Sequence, residues 1–347
     1  LNNKGDLMNN MKKIGLSALA GSMALTSANA VDYGMSGGAT IAFSSVDAPA
    51  SAESINGKGL GVATDLTFKA SGELDNGFTV DYTMVVDTDG ALSNTSSQMA
   101  VGMGGMGSFH INNKAGSKAN GIDDVMPAAY NETWDGHSPD NPSFFGSSTA
   151  SGSVDYRIPA VELAGATINA SYTYDPSSGV GPASKGAVES TSVSGDAVTL
   201  TVDHESGVSI GGGVESLDDE QGKTLGSGTE RTTAYVKYSN GPLTVGYQEA
   251  YNNVVNATGV EGADQEAEFW AIAYTAGDFT FSYSKSNETT KAVGVTAALE
   301  EEEYSAVQAA YNMGGMTIAA SMYEADNLNG VAAKKYEETE LSVSFAF

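Results

Sequence analysis

The sequence contains no cysteine, little proline and few cations. Without cysteine, disulfides, thiolate nucleophiles and cysteine-based metal sites are all excluded. Past residue 30 there is no run of 18 apolar residues, so that part of the chain offers no membrane-spanning helix. Lysine and arginine total 16 against 43 acidic residues, a net charge of −27. Arg157 and Arg231 are its two arginines. A chain so poor in cations lacks the basic face that nucleic acid requires, so nucleic-acid partners are excluded. The acidic excess fits either solubility in a salty medium or a field that attracts cations. Against 8 prolines stand 42 glycines, which suits many tight turns rather than extended linkers.

The first thirty residues carry an address. MKKIGLSALAGSMALTSANA, residues 11 to 30, has Lys12 and Lys13, an apolar stretch from Ile14 to Leu25, and an Ala28-Asn29-Ala30 cleavage site. Residues 1 to 10 start on Leu1 and read as an N-terminal extension before this signal peptide. The mature chain is expected to start at Val31. Losing Lys4, Lys12, Lys13 and Asp6 changes the charge by −2, to −29.

From residue 31 to residue 347 one unit recurs: about ten residues of strict alternation, then a turn or a loop. In residues 60 to 74, Leu60, Val62, Leu66, Phe68, Ala70 and Leu74 share one face, and Asp65, Thr67, Lys69, Ser71 and Glu73 the other. Asp75-Asn76-Gly77 then turns the chain, and Phe78, Val80, Tyr82, Met84 and Val86 resume the apolar face. A period of two means half-buried antiparallel strands. About sixteen such segments occur, in an all-β fold.

Connection length separates a barrel from a sandwich. Six connections are short, such as Ser206-Gly207, Gly277-Asp278 and Gly314-Gly315, and a slightly longer seventh runs from Pro159 to Gly165. Between them lie eight long ones, including residues 114–150, 175–196 and 253–264. Strict alternation of short and long connections predicts a single transmembrane, up-and-down antiparallel β-barrel over residues 31–347. Aromatics beside the short turns, among them Phe78, Phe109, Tyr156, Tyr238, Tyr274, Phe279 and Tyr311, form the girdle expected at a lipid headgroup level. Tyr33 and Phe347 place both termini at that level. The polar faces are too numerous for a small core and suit a water-filled lumen.

Three stretches carry a family resemblance: DYGMSGGATIAFSS at residues 32–45, QMAVGMGGMGSFHINNKAGSKANGIDDVMPAAYNETWDG at residues 98–136, and the terminal Phe347. With them the chain resembles the general porins of alphaproteobacteria, similar to the trimeric sixteen-stranded Rhodobacter type. The resemblance implies that the loop 114–150 folds into the barrel and constricts the pore, and that three copies associate. It implies also that Phe345 and Phe347 on the last strand are read by the barrel-assembly machinery. The chain departs from the family pattern in the scarcity of arginine in its lumen.

The long loop holds Asp123, Asp124, Glu132, Asp135 and Asp140, with Trp134, Phe144 and Phe145 as anchors. By strand parity Lys69, Arg157, Arg231, Lys237 and His110 face inward and would oppose those carboxylates across the constriction. Opposed charges at a narrowing set a transverse field that sorts solutes by charge and dipole. An external loop with solvated carboxylates is the alternative. Lumen faces such as Thr167, Asn169, Ser171 and Thr173, or Thr199, Thr201 and Asp203, can solvate ions without holding them. Outward Gly37 and Ala39, with Met99, Val101 and Met103, are compatible with packing against a neighbouring copy.

Asp218, Asp219 and Glu220, like Glu300 to Glu303, suit a calcium ion that would bridge to lipopolysaccharide, but a solvated charge run is the better explanation of them. Otherwise no cofactor is expected. The three histidines, His110, His137 and His204, lie among many serines, and such scatter defines no catalytic triad, so no enzyme is expected. The expected function is passive diffusion of small hydrophilic solutes and ions, cation-preferring, through the outer membrane of a Gram-negative bacterium. A substrate-specific channel and a surface β-rich adhesin are the rival readings.

Overall fold

The computed structural model describes residues 31–48, 57–88, 92–113, 117–122, 125–133, 152–178, 193–218, 228–255, 264–291 and 299–347. The signal segment 11–30 lies outside the described residues. Among the described residues seventeen strand segments form one antiparallel sheet. In chain order they are β1 (Asp32–Asp47), β2 (Gly57–Glu73), β3 (Thr79–Asp87), β4 (Ser93–Gly102), β5 (Ser108–Asn113), β6 (Val154–Arg157), β7 (Val161–Leu163), β8 (Ala166–Ser178) and β9 (Val193–His204). Then follow β10 (Val208–Asp218), β11 (Gly228–Asn240), β12 (Leu243–Val255), β13 (Asp264–Ala276), β14 (Phe279–Lys291), β15 (Glu302–Asn312), β16 (Met316–Asp326) and β17 (Tyr336–Ala346). Successive segments pair with each other except β6 and β7, which both pair with β8, and β17 returns to pair with β1. The sheet is therefore a closed barrel with no free edge, and among the described residues no helix is long and apolar enough to cross a membrane.

The expected turn from Pro159 to Gly165 is corrected. β6 and β7 are two halves of one barrel strand, because both pair with β8. Arg157 faces Ser171 and Val161 faces Ile168, so four steps on one side oppose three on the other. That mismatch is a β-bulge at Pro159, whose missing N–H cannot serve the ladder. The turn itself is the dipeptide Ala164-Gly165, with φ of 51° and 81°. Counting β6 and β7 together gives sixteen strands.

Alternation places the apolar side chains outside. On β14 Phe281 is 51% exposed on the outer face, whereas Ser284 is 4% exposed on the inner one. On β17 Leu341 is 50% exposed and Ser342 only 1%. Exposed large apolar side chains recur on the outer face of nearly every strand, from Ile41 and Phe43 through Val198 and Leu200 to Val307 and Met322. Such a surface is unfavourable in water and favourable in lipid, by on the order of 1 kcal/mol for each half-exposed side chain. Beside the short turns the girdle rings touch: Phe109 and Tyr156 lie 4.9 Å apart, and Phe279 and Tyr311 lie 4.3 Å apart.

The seam between β1 and β17 runs from Gly38 opposite Ala346 to Asp47 opposite Glu337. On its inner face Thr40 Oγ1 and Ser344 Oγ are 2.8 Å apart. Beyond the ladder, Gly37 N–H donates to the Phe347 carbonyl at 2.7 Å and Phe347 N–H donates back at 3.0 Å. A β carbon on Gly37 would lie 2.7 Å from the Phe347 ring and 3.0 Å from Leu66. The space that the sequence offers to a neighbouring copy at Gly37 is thus filled by the chain's own last residue.

Candidate functional site: the loop inside the barrel

The connection between β5 and β6 is described over residues 117–122 and 125–133. Among the described residues, the following contacts tie it to inward-facing residues of the wall. At its base, Lys118 N–H donates to Asp155 Oδ2 at 3.1 Å. Asp155 is fully buried and accepts also from Thr173 Oγ1 at 2.8 Å and from Arg157 Nε at 2.8 Å. A carboxylate without water needs these donors, so burying Asp155 fixes both the loop base and Arg157.

Further along, the amide of Gln248 on β12 donates to the Ile122 carbonyl at 3.0 Å and to Thr233 Oγ1 at 2.9 Å. Lys237 Nζ donates to the Val125 carbonyl at 3.4 Å. Met126 packs against Ala250, Ala267 and Phe269. Gly246 leaves room there: a β carbon would lie 2.9 Å from Met126 Sδ and 3.0 Å from Pro127 Cδ. Ala129 N–H then donates to Ser282 Oγ at 2.8 Å. Gln308 on β15 grips two peptide groups at once, accepting from Tyr130 N–H at 3.0 Å and donating to the Asn131 carbonyl at 2.6 Å.

Finally the Tyr130 hydroxyl donates to Glu340 Oε1 on β17 at 2.8 Å. Burial holds the Tyr130 pKa above the ordinary tyrosine value, so the hydroxyl keeps its proton at neutral pH. Ser282, Gln308, Ser321 and Glu340 are successive register partners across β14 to β17. From Ala129 to Asn131 the loop therefore follows a single row of inward side chains, and its described residues lie in the lumen.

Of the acidic residues expected on this loop, Glu132 is described, half-buried and engaged in a contact. Asp123, Asp124, Asp135 and Asp140 lie outside the described residues, as do Trp134, His137, Phe144 and Phe145. The inward cations are not gathered into one cluster, since they stand on β2, β5, β6 and β11. Arg157 Nη2 lies 2.7 Å from Asp155, and Arg231 Nη1 lies 3.2 Å from the fully buried Glu215. Both arginines are thus neutralised by the wall itself. Lys237 serves the loop backbone, and His110 bonds to Ser108 Oγ at 2.9 Å and Gln98 Oε1 at 3.2 Å. Lys69 is exposed on β2.

Arg231 belongs to a longer belt. Its Nε donates to Asn252, Asn252 donates to Gln265, and Gln265 donates to Glu288, so polar side chains link the inner faces of β10 to β14. Sequence reading missed Gln248, Gln308 and Tyr130 as loop anchors, and Asp155 and Glu215 as counter-ions. Parity does put Asp155 and Arg157 on the same face two residues apart. Glu215 and Arg231 come together only through the register of β10 and β11.

The candidate calcium ligands do not assemble among the described residues, where no group of three or more His, Asp or Glu side chains could hold a metal. Asp219 and Glu220 are outside that set, and the Asp218 side chain is too. Alternation splits the run at Glu301 to Glu303. Glu302 is buried and accepts from Tyr304 O–H at 2.7 Å, whereas Glu303 pairs with Lys285 at 2.7 Å on the outer face. His204 is exposed and bonds to Ser206 Oγ at 2.8 Å.

A profile of the Gram-negative porins matches residues 15–345. No curated protein sequence matches the chain. Among solved structures, a refined porin is 15% identical with a TM-score of 0.64 and covers 91% of this chain and 100% of its own. OmpF of Salmonella typhi, in complex with daunomycin, is 13% identical with a TM-score of 0.61 and covers 92% and 98%. A trimer form of OmpT from Vibrio cholerae is 9% identical with a TM-score of 0.61 and covers 92% and 100%.

Proposed function

Because the chain belongs to the Gram-negative porin family, and so is an outer-membrane β-barrel channel rather than an enzyme or an adhesin, we propose that it is a passive filter for small hydrophilic solutes and ions. The observation that carries this reading is the loop held across the inner wall by Asp155, Gln248, Ser282, Gln308 and Glu340. A loop anchored in this way sets the width of the passage without any energy input or cofactor.

Cations are preferred in this proposal. Three features support it: the charge of −29 expected without residues 1–30, both arginines paired to buried carboxylates, and the inward carboxylates Asp65, Asp81 and Glu340. The acidic loop residues Asp123, Asp124, Glu132, Asp135 and Asp140 add to the same field. A homotrimer is proposed too, supported by the trimer form of the Vibrio cholerae protein that shares the fold. Phe345 and Phe347 are proposed to be read by the assembly machinery, and the apolar outer face to lie in lipid and lipopolysaccharide.

Single-channel recording in a planar bilayer tests the proposal. Conducting steps in threes and a reversal potential of cationic sign across a KCl gradient are expected. A chloride-favouring sign would end the cation preference. Saturating solute flux would replace the diffusion reading with a substrate-specific channel.

A further inference from the structure

Along one row of the wall, three inward side chains hold the loop and a fourth is passed over. The row is Ser282, Gln308, Ser321 and Glu340. Ala129 N–H reaches Ser282, two peptide groups reach Gln308, and the Tyr130 hydroxyl reaches Glu340. Ser321 stands between the last two. It is 1% exposed, and its hydroxyl has no hydrogen-bond partner among the described residues. A buried hydroxyl is destabilising unless a polar group or an ion meets it. Two residues from Glu340 on the same face, Ser342 is equally buried and stands beside the Tyr130 hydroxyl.

Charge decides what meets it. Glu338 and Glu340 face inward two residues apart on β17, with their backbones roughly 7 Å apart. Tyr336 O–H donates to Glu338 at 2.9 Å, and Tyr130 O–H donates to Glu340 at 2.8 Å. A hydroxyl offers a dipole and leaves both formal charges in place. The loop adds Glu132 two residues beyond Tyr130, and from Ala119 to Tyr156 its sequence has no lysine or arginine. Strands β15, β16, β17 and β1 carry no lysine, arginine or histidine either. Lys334 and Lys335 precede Tyr336, which lies roughly 13 Å of strand from Glu340, and Lys335 pairs with Asp326. Among the described residues an acidic loop is thus seated on an acidic wall without a cationic side chain at the contact. Water would satisfy the Ser321 hydroxyl and leave that charge standing.

The oxygens select the ion. Calcium gathers six to eight oxygens with several carboxylates among them, and no three acidic side chains among the described residues could hold a metal. Two carboxylates that already accept from tyrosines, with the Ser321 and Ser342 hydroxyls, suit a small ion of single charge. The near-complete burial of Ser321 leaves no room for an organic ammonium. We propose that an alkali cation, sodium or potassium, sits under the loop tip on Ser321 and Glu340, with Glu338 alongside. It clamps the acidic loop to the acidic wall. The site rests on the loop contacts, and its effect on passage width rests on the channel reading above.

Hydrogen exchange at the Ala129 and Tyr130 amides of the detergent-folded, full-length protein reads the seat. It is compared in potassium chloride and in N-methylglucamine chloride at equal ionic strength and pH. The organic cation screens charge equally but is too large for the site. Exchange is expected to be slower in potassium by about two- to fivefold, the effect of one partly solvated ion pair. Glu340→Gln keeps an acceptor for Tyr130 and removes the charge, while Ser321→Ala removes the hydroxyl. Each should abolish the difference between the two salts. A heat-shifted gel band first shows that each variant is a closed barrel. Equal exchange of the wild-type protein in both salts would leave water alone under the tip and overturn the proposal. A difference that persists in folded Glu340→Gln protein would also overturn it, because the ion would then act elsewhere. The readout needs no conducting step, so a wild-type protein that conducts nothing would refute the channel reading and not this site.

Discussion

The ring of Phe347 lies over Gly37, and the two residues exchange both backbone hydrogen bonds, at 2.7 and 3.0 Å. The last residue of the chain thereby closes onto the first strand where the first strand has no side chain. Replacing Gly37 with leucine forces the new side chain into the Phe347 ring and Leu66. Overpacking of this kind costs about 1–3 kcal/mol. A lower urea midpoint for the detergent-folded protein is expected, and an unshifted midpoint would mean that the ring moves aside freely.

Deleting Phe347 removes the ring and both hydrogen bonds, yet leaves the ladder from Gly38 to Asp47 in place. Insertion should suffer more than conductance. Quantifying barrels in the outer membrane against the current per inserted barrel separates the two. Equal losses in both would contradict the prediction.

Gln308 holds Tyr130 N–H and the Asn131 carbonyl together. Gln308→Leu leaves both peptide groups without their partner, at a cost of about 1–3 kcal/mol each. The loop is then expected to detach from β15, with larger and noisier single-channel currents. Protease cleavage near Tyr130 should quicken by about tenfold, the factor that corresponds to 1.4 kcal/mol.

Asp155 is fully buried against Arg157, Thr173 and the Lys118 backbone. Asp155→Ala strands the guanidinium, and breaking a buried pair costs about 3–5 kcal/mol. The Arg157 side chain is 22% exposed, so water returns part of that and about 2–3 kcal/mol is expected. Chemical denaturation reads it. Asp155→Asn should fall between alanine and wild type, because one oxygen acceptor survives.

Neutralising Asp123, Asp124, Glu132 and Asp135 together should move the reversal potential in a KCl gradient toward zero. An unchanged potential would place the selectivity on wall carboxylates such as Asp65 and Glu340 instead.

The barrel was legible in the sequence because lipid and lumen impose opposite chemistry on alternate residues, and that period survives almost any substitution within a class. Even the inward direction of Lys69, Arg157, Arg231 and Lys237 follows from parity. Pairing across strands does not. Whether Arg231 meets Glu215 depends on a register that alternation leaves open by two-residue steps. Pro159 illustrates a local failure. Proline reads as the start of a turn, yet here the ladder resumes two residues later, since the hairpin Ala164-Gly165 and β8 supply partners that no local signal announces. The loop anchors were hidden for the same reason: a glutamine inside a strand gives no sign that a peptide group from 177 residues away will reach it.

The seam ties Thr40 to Ser344, 304 residues apart. Every other wall contact in the ladder joins neighbours in the chain order, so strands can pair in succession as they arrive. This last pairing cannot begin until the final strand exists. Until then the growing sheet carries two unsatisfied edges, the first strand on one side and the newest on the other. Shutting them together turns an open sheet with two edges into a ring with none.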